Sequence, residues 1–228
     1  MTEQHRPIRS FVRREGRLTP GQQRALEVLW PKHGIEMSQN ILDLAAIFHR
    51  TAPITLEIGF GNGASLAQMA ALSPERDFLA IEVHRPGIGR LLQFIEEKEL
   101  ANIRVIDGDA MDLLQQMIPH GSIDRVQLFF PDPWPKKRHH KRRLVNAPFL
   151  QLVSSALVKG GVFHLATDWE DYALQMLEVL DASDCFHNTD GLGNFSARPD
   201  YRPLTKFEQR GLNKGHGVWD LIYANNNE

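Results

Sequence analysis

From residue 54 onward, short continuous apolar runs alternate with longer segments of helical periodicity. The apolar runs predict seven strands, at residues 54–58, 78–83, 103–106, 123–130, 162–166, 185–186 and 218–223. Between them, the spacing predicts helices at residues 64–72, 111–118, 149–158 and 172–180, and one through Leu91, Leu92 and Ile95. Apolar strands that alternate with helices are typical of a parallel sheet covered on both faces. The pattern therefore predicts an α/β, Rossmann-like, doubly wound fold with a mostly parallel seven-stranded sheet.

The amino-terminal residues follow a different pattern. Residues 1–18 lack apolar periodicity and are predicted to form a flexible basic arm. Thr19 and Pro20 are typical of a helix start, because threonine caps the free N–H groups and proline suits the first turn. We expect this helix to stop before Pro31, which cannot continue the hydrogen-bond pattern.

Two further boundaries follow from capping and turn residues. Ser38 is expected to cap a second helix that runs through Phe48, and the glycines at 160–161 are expected to close the helix before the fifth strand. We therefore divide the chain into a basic arm with a short helical extension, residues 1–50, and a sheet domain, residues 51–228.

Charge is arranged locally on a nearly neutral chain. The 228 residues carry a net charge of −2, yet six of the 26 lysines and arginines lie within residues 136–143. The first 17 residues hold five more arginines. Two basic segments on a neutral body indicate a docking surface for nucleic acid, although a solvated loop and tail would look the same.

The remaining composition narrows the class of protein. The single cysteine, Cys185, excludes a disulfide framework and a thiolate zinc site. No apolar run reaches about 18 residues, and no signal peptide opens the chain. We expect a cytoplasmic protein that does not enter the membrane. The sequence does not decide between a monomer and a homodimer.

Each of the first five predicted strands is followed by, or ends in, an acidic residue. These residues are Glu57, Glu82, Asp109, Asp132 and Asp168. Ligands of doubly wound sheets bind beyond the carboxyl ends of the strands. One acid at a strand end is usually a cap, but five at one edge indicate a binding site.

The turn after the first strand is rich in glycine. Gly59, Gly61 and Ala64 fit the dinucleotide fingerprint, with Glu82 at the distance of a ribose-binding acid. However, Glu57 directly before this turn would repel a pyrophosphate. S-adenosylmethionine carries a sulfonium and an ammonium instead of phosphates, so an acidic rim with a glycine turn favours that cofactor. Asp109 is then expected near the adenine.

The fourth strand leads into the most unusual stretch of the chain. Asp132 lies between two prolines, Trp134 follows, and residues 136–143 are all basic or histidine. Proline stiffens this loop, because it fixes its own backbone and restricts the residue before it. Trp134 is expected either to stack on a splayed base or to cover the cofactor. No metal is expected, since no acid accompanies His139 and His140.

Two motifs carry a family resemblance. Glu57-x-Gly59-x-Gly61-x-Gly63 resembles the first motif of class I methyltransferases. The run at 131–139, together with Asp168 and Thr205-Lys206-Phe207-Glu208, resembles the bacterial tRNA (guanine-N7)-methyltransferase family over roughly residues 40–225. The resemblance implies methyl transfer from S-adenosylmethionine to N7 of a guanine at variable-loop position 46 of tRNA.

The resemblance also implies roles for individual residues. The implied cofactor residues are Glu57, Gly59, Gly61, Glu82, Asp109 and Asp132. Asp132 is in addition the implied catalytic residue. The implied substrate contacts are Lys136, Asp168, Thr205, Lys206, Phe207 and Glu208. The implied RNA contacts are Arg138, His139, His140, Lys141, Arg142 and Arg143. Read without the resemblance, Thr205 and Glu208 fit the capping box of a helix start.

Several alternatives stay open at this stage. Asp132-Pro133-Trp134 is close to the Asn/Asp-Pro-Pro-aromatic run of amino-group methyltransferases, although tryptophan replaces the second proline. The glycine spacing alone would fit a nicotinamide-dependent oxidoreductase. A non-catalytic RNA-binding module is a third alternative. Asp132 itself can act either by stabilising charge on the base or by holding the base in place.

Overall fold

The computed structural model describes residues 10–11, 16–204, 208 and 217–227. Within them the strands are β1 Gly34–Ile35, β2 Ile54–Ile58, β3 Asp77–Glu82, β4 Ile103–Asp107, β5 Ile123–Phe129, β6 Leu157–Thr167, β7 Phe186–Asn188 and β8 Trp219–Asn225. The α-helices are α1 Pro20–His33, α2 Leu44–Phe48, α3 Ala64–Leu72, α4 Arg85–Glu97, α5 Ala110–Gln116, α6 Ala147–Ala156 and α7 Glu170–Asp181. A 3₁₀ helix spans Lys137–Arg142.

All eight strands form one sheet, in the order β1-β4-β3-β2-β5-β6-β8-β7. The pairings from β1 across to β6 are parallel, whereas β8 runs antiparallel to both β6 and β7. The chain builds outward from β2 through β3 to β4, and then returns to the other side of β2 with β5. The carboxyl ends of β2 and β5 therefore lie at a topological switch point, where doubly wound sheets bind ligands.

The sheet has a hydrophobic core on each face. Leu56 of β2 belongs to a buried cluster with Leu113 of α5 and Phe149 of α6. The opposite face carries a second cluster, in which Leu66 of α3 packs with Leu91 of α4. The predicted doubly wound α/β architecture is thus confirmed. Among the described residues, no helix is both long enough and apolar enough to cross a membrane.

The predicted strands all occur, with an additional eighth strand. This strand is β1, whose two residues pair in parallel with Val105 and Ile106 of β4. Two residues are too few to give an apolar pattern, which explains why the sequence predicted seven strands. The third and fourth predicted strands match β4 and β5 to within one residue.

The expected end of the first helix before Pro31 is wrong. Thr19 caps this helix and Pro20 opens it as predicted, but the helix continues through Pro31 to His33. Both Pro31 and Glu27, whose carbonyl loses its helical donor, lie on the exposed side of the helix. Water can satisfy that carbonyl, so the proline is tolerated there.

The second helix begins later than predicted. Asp43 is its cap, and the Asp43 side chain accepts a hydrogen bond from the backbone N–H of Ala46 at 3.0 Å. Ser38 instead accepts a hydrogen bond from Asn40 in an irregular segment. Ile41 is 60 % exposed and lies outside the helix, so it does not extend the buried face.

The glycines at 160–161 do not close a helix. α6 already ends at Ala156, and β6 runs through both glycines. Along β5 and β6, Ile123 pairs with Leu157 but Arg125 pairs with Val162, so the register shifts within β6. Gly160 adopts φ +69°, which glycine tolerates well. The glycine pair therefore lies at an irregularity in the pairing of β6 with β5.

Candidate active site

A cleft of about 580 Å³ opens at the switch point. The ends of β2, β3, β4 and β5 form its walls. Four of the residues predicted to bind the cofactor line it, namely Gly59, Glu82, Asp109 and Asp132. Glu57 lies below the cleft, within the sheet, and Gly61 stands at its edge through a hydrogen bond to Glu82. These four residues, each predicted at the end of a different strand, thus lie around one cleft.

The turn from β2 to α3 exposes its backbone toward the cleft. Gly59 and Gly61 adopt φ values of +73° and +61°, where side chains other than glycine are strained. A Cβ atom at either position would meet no described atom within 4 Å. The open space on that side gives a ligand room to approach the backbone closely.

Glu82 is held in one orientation at the end of β3. Its Oε2 atom accepts a hydrogen bond from the backbone N–H of Gly61 at 2.9 Å. Its Oε1 atom accepts from the backbone N–H groups of Val83 at 2.7 Å and His84 at 3.1 Å. A carboxylate has about four lone-pair positions, so acceptor capacity remains for a ligand.

Glu57 is a buried acid with an unsatisfied oxygen. The residue is 3 % exposed, and its Oε2 atom has no hydrogen-bond partner among the described residues. Burial, and secondarily the negative charge of Glu82, raises the pKa of Glu57 to about 8. Its neighbour in register on β5 is Gln127, whose side-chain amide is also unsatisfied. A cationic ligand group would stabilise the charged form of Glu57.

Asp109 combines a structural role with a place in the cleft. It caps α5, and its Oδ1 atom accepts a hydrogen bond from the backbone N–H of Met111 at 3.0 Å. The residue is half-buried and lines the cleft. An N-cap explains part of its presence at this strand end, as is usual for a single acid.

The loop after β5 presents Asp132 in a constrained backbone. Phe130 and Trp134 adopt positive φ values of 51° and 46°, which are uncommon for bulky residues. Asp132 is exposed and lines the cleft. Among the described residues, none donates a hydrogen bond to its carboxylate and none forms an ion pair with it. The carboxylate is thus available to a ligand.

Trp134 contacts other parts of the chain. Its indole Nε1–H donates a hydrogen bond to the carbonyl of Ser10 at 3.0 Å. The guanidinium of Arg142 lies 4.9 Å from the ring centroid, and the ring of His139 packs edge-on at 5.8 Å. Ser10 and Phe11 also line the cleft, which the basic composition of the amino-terminal segment did not indicate.

The basic run forms the 3₁₀ helix beside this loop. Its exposed residues are Lys136, Lys137, Arg138 and Lys141. His139, His140 and Arg142 are half-buried, whereas Arg143 is only 4 % exposed. In the described part of the chain no group of three or more His, Cys, Asp or Glu residues could hold a metal ion.

The predicted substrate contacts either do not line the cleft or lie outside the described residues. Asp168 is exposed at the end of β6 but does not line the cleft. Lys136 is exposed and directly follows the cleft residue Pro135. Thr205, Lys206 and Phe207 lie outside the described residues. Glu208 is 5 % exposed and forms an ion pair with Arg202 at 2.7 Å.

Arg202 is the centre of a buried polar network that the sequence did not predict. It is 1 % exposed and pairs with both Glu208 and Asp220 of β8. Asp220 also bonds His164 Nε2 at 2.8 Å, and the His164 Nδ1 atom lies 2.9 Å from the Tyr201 hydroxyl. Burial lowers the pKa of His164. The network ties Arg202 and Glu208 to β6 and β8 of the sheet.

Comparisons with known proteins identify relatives of this chain. Residues 51–221 match a family model described as "Putative methyltransferase". The chain is 59 % identical to a tRNA (guanine-N(7)-)-methyltransferase of Aeromonas hydrophila, over 96 % of this chain and 92 % of that protein. A protein with the same name from Alkalilimnicola ehrlichii is 60 % identical over the same shares. Another from Escherichia coli K12 is 57 % identical, over 96 % and 91 %.

Solved structures share the fold at low sequence identity. The 16S rRNA methyltransferase KamB matches with a TM-score of 0.59 and 14 % identity, over 82 % of this chain and 95 % of that chain. A 30S ribosomal A1408 methyltransferase from an uncultured bacterium matches with a TM-score of 0.56 and 14 % identity, over 80 % and 92 %. The chain therefore shares its fold with these structures, whereas the relatives above define its family. The chain belongs to the tRNA (guanine-N(7)-)-methyltransferase family.

Proposed function

We propose that this chain transfers a methyl group from S-adenosylmethionine to N7 of a guanine in tRNA, at variable-loop position 46. One observation carries the proposal. An exposed acid, Asp132, faces an acidic cleft at the switch point and stands directly beside an exposed basic 3₁₀ helix. The names of the relatives supply the class of substrate. We place this activity in the cytoplasm.

The residues of the cleft fit S-adenosylmethionine. Its ammonium group would satisfy the unpartnered oxygen of buried Glu57, and the open backbone at Gly59 and Gly61 leaves room for its carbon chain. Glu82 would accept from the ribose hydroxyls, and Asp109 would lie beside the adenine. When bound, this cofactor supplies an electrophilic methyl group on a positively charged sulfur.

Guanine N7 has its own lone pair and needs no general base. The protein therefore acts by alignment, which can contribute about 7–11 kcal/mol. Methylation of N7 places positive charge on the purine. The unpaired carboxylate of Asp132 would stabilise that charge, or would accept from the N–H groups of the base. Both roles require Asp132 to contact the guanine at the mouth of the cleft.

The tRNA backbone would bind along the basic run. Its contacts would be Lys136, Lys137, Arg138, His139, His140, Lys141 and Arg142. Asp168, exposed at the next strand end, would contact the substrate, as would the segment of Thr205, Lys206 and Phe207. The carboxylate of Glu208 is already bound to Arg202, so we propose that it holds this segment to the sheet.

The first prediction concerns Asp132→Asn. This change keeps the shape of the side chain but removes its charge, so methyl incorporation into tRNA that lacks the modification should fall about 10²- to 10³-fold. Binding of tRNA should persist. The matched control is Asp184→Asn, an exposed acid of the segment before β7, which should leave incorporation unchanged.

Mass spectrometry of the digested tRNA identifies the product. Methyl on N7 of guanine is expected, and methyl on an exocyclic amino group would favour the alternative class of methyltransferase. A wild-type protein that binds tRNA but incorporates no methyl would instead support a binding module. Undiminished turnover of Asp132→Asn would exclude the proposed role of Asp132.

A further inference from the structure

Arg143 differs from the other members of the basic run. It follows the 3₁₀ helix directly, and its side chain is 3 % exposed, whereas Lys141 two residues earlier is exposed. The backbone N–H of Arg143 donates to the carbonyl of His140 at 2.9 Å and closes the helix. A guanidinium that is buried in this way cannot reach an RNA phosphate without leaving its position.

The guanidinium of Arg143 has three partners within the protein. Its Nε–H donates a hydrogen bond to the carbonyl of Pro133 at 3.0 Å. Its Nη2 atom donates to the carboxylate of Asp171. The guanidinium also lies over the ring of Tyr172, 4.7 Å from the centroid. The planar fork of arginine matches this combination of donors and stacking, which a lysine cannot reproduce.

The hydrogen bond from Arg143 to Pro133 acts on the loop that contains Asp132. Pro133 directly follows Asp132, and prolines on both sides of Asp132 remove backbone donors that could otherwise fix the loop. Phe130 and Trp134 hold strained positive φ values at the two ends of the loop. Strained backbone persists only where the surroundings hold it in place. The Arg143 hydrogen bond to Pro133 is such an external restraint.

The second partner reaches the neighbouring strand end. Asp171 lies in the first turn of α7, three residues after Asp168. The Arg143 guanidinium beside Asp171 lowers the pKa of that carboxyl. Arg143 thus joins the loop after β5, which carries Asp132, to the start of α7, which follows Asp168 at the end of β6.

We propose that Arg143 is a positioning residue that holds the Asp132 loop against α7, and that it does not bind RNA. This inference rests on the proposed function, because its effect on turnover requires Asp132 to act there. Its restraint on the loop can be measured without turnover.

The test compares Arg143→Ala and Arg143→Lys with Lys141→Ala, an exposed member of the same run. Single-turnover rates are measured at saturating S-adenosylmethionine and tRNA, and tRNA affinity is measured at several salt concentrations. Both Arg143 variants should lose about a hundredfold in rate, since small misplacements at a reacting centre cost that much. Their tRNA affinity and salt dependence should stay near wild type. Lys141→Ala, at an exposed tRNA contact, should instead show weaker, less salt-dependent binding.

Two results would overturn the proposal. One is a pair of Arg143 variants that weaken tRNA binding as Lys141→Ala does while keeping their rate. The other is full activity of Arg143→Lys, since a phosphate contact tolerates lysine whereas the fork to Pro133 and Asp171 does not. A thermal melt of each variant checks that it is folded.

Asp171→Asn provides a second variant should Arg143→Ala fail to fold, because the Asp171 side chain is 64 % exposed. It should lower the single-turnover rate severalfold without weakening tRNA binding. If Arg143 were an RNA contact, its release from Asp171 would tighten tRNA binding and spare the rate.

Hydrogen exchange at the backbone amide of Phe130, which donates to the carbonyl of Ala166 at 2.7 Å at the start of this loop, provides the readout that needs no turnover. Exchange should be faster in both Arg143 variants and unchanged in Lys141→Ala. Unchanged exchange in the Arg143 variants would refute the restraint. An inactive wild-type protein would refute the proposed function and leave this exchange result to decide on Arg143.

Discussion

At the scale of single residues, the acids at the strand ends differ in how far water reaches them. Glu57 is buried below the cleft with one unsatisfied oxygen, and Glu82 is half-buried and fixed by three backbone N–H groups. Asp132 is exposed. A buried acid can recognise a cation, a fixed acid can orient hydroxyl groups, and an exposed acid can meet an incoming base.

The environment of Glu57 predicts an effect of pH on stability. In the folded protein without cofactor its pKa is about 8, above the ordinary value of 4.5. Between these values the folded chain holds a proton that the unfolded chain has lost, so stability falls as pH rises from 4.5 to about 8. The full loss is as much as roughly 5 kcal/mol.

Glu57→Gln removes this titration. In denaturant unfolding, its free energy of unfolding relative to wild type should increase from about pH 5 to about pH 8.5. The control Glu178→Gln, at an exposed position on α7, should give the same difference at both pH values. An equal difference for Glu57→Gln at both pH values would show that Glu57 carries no raised pKa.

The candidate site was predictable at the residue level where position follows from the strand pattern. Glu57, Glu82 and Asp132 could be assigned to one edge because parallel strands end together. The burial of Arg143 could not be predicted, because a run of basic residues does not show which member turns inward. Nor could the contact of Ser10 with Trp134, which joins residues 124 positions apart.

At the scale of elements, the sequence predicted best where local and tertiary preferences agree. The bounds of α3, Ala64–Leu72, and of β2, Ile54–Ile58, match the prediction. The sequence prediction failed where one residue type suits two different structures. Gly160 is as suitable for a strand irregularity as for a helix end, and only the pairing of β6 with β5 decides between them.

The 3₁₀ helix predicts a salt dependence of tRNA binding. If about four phosphates are neutralised, the slope of log binding constant against log salt should be roughly −3. Replacing both Lys137 and Lys141 by alanine should flatten it by about 1.4, because each single-strand-like contact contributes about 0.7. Affinity measured over a salt series gives both slopes.

Lys98→Ala is the control for this measurement. Lys98 is exposed at the end of α4, which runs back from the cleft toward the opposite edge of the sheet. Its replacement should leave the slope unchanged. A double variant at Lys137 and Lys141 with the wild-type slope would place the RNA elsewhere.

At the scale of the whole molecule, Arg202 and Glu208, which precede β8 in the chain, are held by charge in the interior. Arg202 links Glu208 with Asp220 of β8, and Asp220 bonds His164 of β6. Partners this deeply buried lose their hydration and depend on each other. The network therefore joins a predicted substrate segment to the central sheet.

Arg202→Met should destabilise the protein by about 3–5 kcal/mol, because it leaves the carboxylates of Glu208 and Asp220 buried with less compensation. Chemical denaturation measures this loss. The matched change Arg138→Met, at an exposed arginine, should alter stability by less than about 0.5 kcal/mol. Equal stabilities of the two variants would mean that the network contributes little.

The position of β8 has a consequence for synthesis of the chain. β8 lies between β6 and β7 in the sheet, yet it follows both in the sequence. As the chain emerges from the ribosome, the edge of β6 stays unpaired and β7 lacks its only sheet neighbour among the described strands until residues 219–225 appear. An open strand edge is a template for association with other chains. Until β8 pairs with β6 and β7, the nascent chain is thus exposed to misassembly, and Asp220 is not yet present to hold the segment that contains Arg202.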